Sequence, residues 1–113
     1  MERSSRSPIA VTIGDPCGIG PEIVVKACAD RRLDASLRER LIVVGDPALL
    51  AREASRLNLP APARIEPVEL PGGPLSADLP VGRIDRRAGD AAYRYVVHAA
   101  RMAIDGRACA VVT

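Results

Sequence analysis

Short runs of β-branched and apolar residues recur along this chain, each followed by a stretch with helical spacing. That alternation constrains the fold more than any other feature. Residues 8–13 (PIAVTI), 41–44 (LIVV) and 108–113 (ACAVVT) are near-continuous apolar runs, the pattern of strands covered on both faces. A weaker run over 63–70 is interrupted by Pro67 and predicts only a short strand. Between the first two runs a helix is expected from Pro21, with Gly20 as its cap. Its polar side carries Glu22, Lys26 and Asp30, and Val24, Ala27 and Cys28 are expected inward. A second helix is expected from Pro47 to about Leu57, capped by Asp46, with Leu50, Ala54 and Leu57 inward. Residues 71–87 carry Gly72, Gly73, Pro74, Pro80 and Gly82 and read as loop. A third helix is expected over 89–105, closed by Gly106. The order β-α-β-α-β-loop-α-β predicts an α/β fold with a parallel-type sheet and flanking helices.

Composition sharpens this. The 113 residues contain no Phe or Trp, only Tyr93 and Tyr95, and fifteen Arg against the single Lys26. A core of Leu, Ile, Val and Ala alone is thin at roughly 25 cal/mol per Å² of apolar burial, so the chain reads as incomplete. Apolar residues make up 48% and the formal net charge is +2, values that argue against disorder. No apolar run approaches the ~20 residues of a membrane helix. The basic residues are scattered among acids and lack interleaved aromatics, which argues against a nucleic-acid partner. Residues 1–7 are polar and read as a flexible N-terminus. Three cysteines, Cys17, Cys28 and Cys109, form no CxxC pair, so free thiols and a cytoplasmic setting are expected.

One segment carries chemical information. Residues 14–22, GDPCGIGPE, follow a strand and open a helix. Gly14, Gly18 and Gly20 permit positive φ and close backbone approach, and a helix N-terminus offers unpaired N–H groups to an anion. The segment is neither GxGxxG nor a P-loop. From these residues alone a tight structural turn is the favoured reading, with a ligand-facing loop as the alternative.

The run GDPCGIGPEIVVKA resembles the N-terminal signature of the 4-hydroxythreonine-4-phosphate dehydrogenase family, where GDPAGIGPEI is usual and Ala stands at the position of Cys17. The stretch from Val81 to Tyr93, VGRIDRRAGDAAY, resembles that family's G-K/R-I-x-x-x-A-G-x-A-A-Y segment. The closing Ala110-Val-Val-Thr resembles the strand that leads into a Pro-x-x-Lys turn. Isocitrate and isopropylmalate dehydrogenases share a shorter form of the glycine segment but not the later ones.

The resemblance covers residues 8–113 and implies the N-terminal α/β portion of a larger two-domain dehydrogenase, with members about three times this length. It implies a homodimer that uses NAD(P) and a divalent metal (Zn, Mg, Mn or Co). The implied reaction oxidises 4-phosphooxy-L-threonine to a β-keto acid that decarboxylates, on the route to pyridoxal phosphate. Related substrates are phospho-D-threonate or phospho-D-erythronate and dihydrodiol dicarboxylates. A non-catalytic phosphate- or nucleotide-binding domain is the reading from another class. The family's metal-binding histidines lie past Thr113, so no catalytic or metal residue is assigned here.

The cofactor-facing candidates are Gly14, Asp15, Gly18 and Gly20. Asp15 faces the cleft or accepts N–H groups of its own turn. Glu22 is accounted for by pairing with Lys26, and Asp46 by capping, although an acid at the end of a second strand can also hold a ribose. Cys17 reads as a small filler residue, His98 as a solvated residue on the polar edge of its helix, and Tyr95 and Met102 as packing.

Overall fold

The protein is described by a computed structural model covering residues 7–75 and 77–113; all of the expected flexible N-terminus except Ser7 lies outside them. The central strand is β1 (Ile9–Thr12), because both later apolar runs pair with it. Val11 lies opposite Val43 of β2 (Leu41–Val44) and Val112 of β4 (Ala110–Val112). With β3 (Ile65–Glu66) outside β2, the sheet is parallel throughout, in the order β3-β2-β1-β4. The chain steps outward twice and then crosses back to the other side of β1.

Right-handed crossovers place the first connecting helices on one face and the returning helix on the other. Accordingly α1 (Gly20–Ala29) packs on α3 (Pro47–Leu57), while α4 (Arg86–Ile104) lies across β1, β2 and β4. A four-residue helix α2 (Ala35–Arg38), not expected from the sequence, joins α1 to β2. The core is aliphatic apart from Tyr95: Ile13, Val25, Val43, Val44, Leu50 and Met102 are all buried around it. No helix among the described residues is long and apolar enough to cross a membrane.

Several expectations shift. The inward face of α1 is Pro21, Val24 and Val25, with Cys28 half-buried and Ala27 exposed. The buried stripe thus runs at i, i+3, i+4 and i+7 from Pro21, the side that meets the sheet and α3, and leaves Ala27 outside it. Helix α1 also starts one residue early, at Gly20, with Ile19 as cap. The third strand shrinks to two residues, since β2 offers partners only at Val43 and Val44 and Pro67 has no N–H to donate. Helix α4 begins at Arg86 rather than 89, because Asp85 caps it: its Oδ1 accepts from the Arg87 amide at 2.9 Å and the Ala88 amide at 3.4 Å. The expected cap of α3 is present, with Asp46 Oδ1 accepting from Ala48 N at 2.9 Å and Leu49 N at 3.2 Å. Gly106, at φ +78°, follows α4 as expected.

Candidate functional site

In open parallel sheets, ligands bind beyond the carboxyl ends of strands where the strand order reverses. Here that point lies between β1 and β4, and the glycine segment leaves the sheet there. Gly14 turns the chain out of β1 at φ +67°, a conformation that suits glycine. Asp15 then closes the turn. Its Oδ1 accepts from the Cys17 amide at 2.8 Å, and its carbonyl accepts from the Gly18 amide at 2.9 Å. Gly20 brings the chain back so closely that a Cβ there would sit 1.8 Å from the Ile13 carbonyl oxygen. Of the three glycines in this turn only Gly14 uses positive φ; Gly20 serves close approach instead.

This compact turn leaves the start of α1 open. Ile19 provides no side-chain cap, and Pro21 has no N–H. The first helical bond runs from Ile23 N to Ile19 O, so the amides of Ile19, Gly20 and Glu22 have no intrahelical acceptor. Such a terminus carries partial positive charge and suits an anion.

Beside it lies a cleft of about 360 Å³, formed by the glycine turn, α1, α3 and residues 77–82. The last segment, expected only as loop, folds onto the turn: Gly82 N donates to Cys17 O at 2.7 Å, and Leu79 packs on Cys17 and Ala88. Ile19 and Val81 form exposed apolar lips, at 71% and 79% exposure.

The charged residues of the cleft divide into paired and unpaired. Glu22 binds Lys26 at 2.7 Å and Arg56 of α3 at 3.0 Å. The Lys26 bond chiefly, with Arg56 adding, holds its carboxyl below the usual carboxylate range. Arg56 also pairs with Glu53. Arg52 lines the same cleft and has no ion-pair partner among the described residues. Cys17 is buried, and burial first, then the carboxylates of Asp15 and Asp85, push its thiol up. A neutral, enclosed thiol is packing material, not a nucleophile.

The four candidates therefore divide in role. Gly18 lines the cleft, whereas Gly14, Asp15 and Gly20 build the turn that shapes it. The long-range Glu22–Arg56 contact and Arg52 were not singled out from sequence, because helical spacing alone does not say which helices meet. His98 is half-buried rather than solvated: its Nε2 lies 2.9 Å from Glu66 Oε2, which Arg107 also binds at 3.2 Å. No three His, Cys, Asp or Glu side chains converge to hold a metal among the described residues. The residues present therefore do not fit the implied divalent ion.

No protein-family profile matches the chain. Individual proteins do. It is 37% identical to a D-threonate 4-phosphate dehydrogenase of Bordetella bronchiseptica, over 96% of this chain and 35% of that protein. It is 34% identical to a 4-hydroxythreonine-4-phosphate dehydrogenase of Trichlorobacter lovleyi, over 93% of this chain and again 35% of the relative. The crystal structure of a 4-hydroxythreonine-4-phosphate dehydrogenase from Burkholderia phymatum superposes with a TM-score of 0.77 at 29% identity, over 93% of this chain and 35% of that one. The Klebsiella pneumoniae protein of the same name gives 0.73 at 32%, over 93% and 36%. The chain thus spans about a third of the length of the relatives it matches. By sequence and by fold it is similar to about a third of a 4-hydroxythreonine-4-phosphate dehydrogenase.

Proposed function

We propose that this chain is the N-terminal α/β portion of a cytoplasmic, homodimeric dehydrogenase that oxidises 4-phosphooxy-L-threonine on the route to pyridoxal phosphate. The observation that carries the reading is the uncapped start of α1, set at the end of the central strand with Arg52 lining the adjoining cleft. The amides of Ile19, Gly20 and Glu22 and the Arg52 guanidinium would bind a phosphate of the substrate or of the cofactor. In this reading Gly18 faces the cofactor, Gly14, Asp15 and Gly20 hold the turn that forms that wall, and the apolar lips Ile19 and Val81 exclude water.

NAD(P), when bound, would accept the hydride from the carbinol carbon while the hydroxyl proton is released to solvent, so that the secondary alcohol becomes a ketone. The β-keto acid so formed loses carbon dioxide. The described residues do not form a site for the divalent metal of the family, so no step is assigned to one.

A D-threonate 4-phosphate substrate is the second reading, favoured by the Bordetella relative at 37% identity. The two share a four-carbon acid skeleton and its terminal phosphate and differ at C2, which bears an amino group in one and a hydroxyl in the other; this cleft addresses only the phosphate. Calorimetric titration of the 113-residue chain with NAD and with inorganic pyrophosphate tests the binding role. Binding that weakens about tenfold in Arg52→Ala supports it, and no heat at millimolar ligand overturns it. NADH formation by the product of the complete gene, with each phosphorylated acid in turn, separates the two substrates.

A further inference from the structure

The end of β2 carries groups that the phosphate cleft does not use. Tyr95 of α4 is 1% exposed, and its phenolic oxygen has no hydrogen-bond partner among the described residues. A buried phenol normally finds an acceptor, and leaving one unpaired is costly. Burial first, and the Asp46 carboxylate second, push its pKa up to about 12, so it remains a hydrogen-bond donor.

Tyr95 forms part of the wall of a cleft of about 720 Å³ at the carboxyl ends of β2 and β3. That volume suits a small molecule. Pro47, Pro67, Val68 and Leu70 give it apolar walls, and among the described residues its charged lining is Asp46 and Glu69. Asp46 uses Oδ1 for both capping bonds, and no described residue bonds its Oδ2. Two carboxylates without a cation repel phosphate and favour hydroxyl donors. An acid at the end of a second parallel strand is well placed to hold ribose hydroxyls.

We propose that this cleft binds an uncharged nucleoside. A ribose hydroxyl donates to Asp46 Oδ2, and the flat base lies between the proline walls. An acceptor on the base takes the Tyr95 hydroxyl after a small displacement of residues 71–74, where Gly73 turns the chain at φ +83°. The cleft shares no lining residue with the one at the glycine turn, so failure of either proposal leaves the other standing.

The test is calorimetric titration of the 113-residue chain with adenosine, and with AMP as the charged counterpart. Adenosine is expected to bind, at least tenfold more tightly than AMP. Tyr95→Phe and Asp46→Asn are each expected to weaken adenosine about tenfold, the second while retaining a capping oxygen. Because Tyr95→Phe removes an unpaired polar atom, it should leave the melting temperature of the free chain unchanged or raised. No adenosine binding at millimolar concentration would overturn the proposal, as would equal binding of AMP or affinity indifferent to both substitutions. A marked fall in melting temperature for Tyr95→Phe would show the hydroxyl bonded within the protein and would also overturn it.

Discussion

The hydroxyls of Thr12 and Thr113 lie 2.7 Å apart, one register step beyond the last paired residues of β1 and β4, Val11 and Val112. Where the backbone ladder stops, a side-chain bond continues it. Thr12 is buried, so the bond satisfies a hydroxyl whose desolvation would otherwise go uncompensated. It also ties the two strands together at the point where the strand order reverses, next to the glycine turn.

Replacing Thr12 by Val keeps the shape and removes that bond. Thr113 is exposed and can turn to water, so the loss should be about 1 kcal/mol. Urea unfolding should show a lower midpoint with an unchanged slope. An unaltered midpoint would mean that the pair contributes nothing.

Gly20 should be the least replaceable glycine of the turn. An added methyl would overlap the Ile13 carbonyl oxygen, a backbone atom that cannot move without displacing β1. Gly20→Ala should cost about 3 kcal/mol, the upper end of the usual cost of steric conflict in a packed site. Gly72→Ala, whose Cβ meets nothing within 4 Å, should stay within about 0.5 kcal/mol. Thermal melts of both variants settle the comparison.

The cysteines should differ sharply in reactivity. Cys109 is exposed, whereas Cys17 is buried, with its thiol pushed up by burial. Since the thiolate is the reactive form, a coloured disulfide reagent at mildly alkaline pH should label Cys109 at once. Cys17 should react only on unfolding. Equal rates in the folded chain would contradict the packing of Cys17 against Leu79 and Ala88.

Asp30 should titrate low. Side-chain and backbone hydrogen bonds from Arg32 bring its pKa down from 3.8 to about 2. The folded value lies below the unfolded one, so the stabilisation is complete above about pH 4 and is lost as pH falls through the folded value. Carboxyl NMR titration should place the midpoint near 2, and Arg32→Gln should move it back toward 3.8. A wild-type midpoint at 3.8 would show the contact to be absent in solution.

Much of the architecture was legible because its signals are local. The apolar runs that became β1, β2 and β4 contain their own evidence, as does the Asp46–Pro47 start of α3. Asp85 is the same kind of cap, but the surrounding glycines and prolines mask it, so the helical spacing is clear only from residue 89, three residues after α4 begins. Ala27 and Val25 could be told apart only by which side of α1 meets the sheet and α3.

The sequence by itself determined the α/β alternation, the Asp46–Pro47 start of α3 and the resemblance to the dehydrogenases. Tertiary structure alone decided what lies across the clefts. Glu22 meets Arg56 from 34 residues away, His98 meets Glu66 from 32, and Thr12 meets Thr113 from 101. Those pairings depend on strand order and crossover handedness, which no local window of residues encodes. Periodicity reports which face of an element is apolar, and only the packed sheet determines which faces meet.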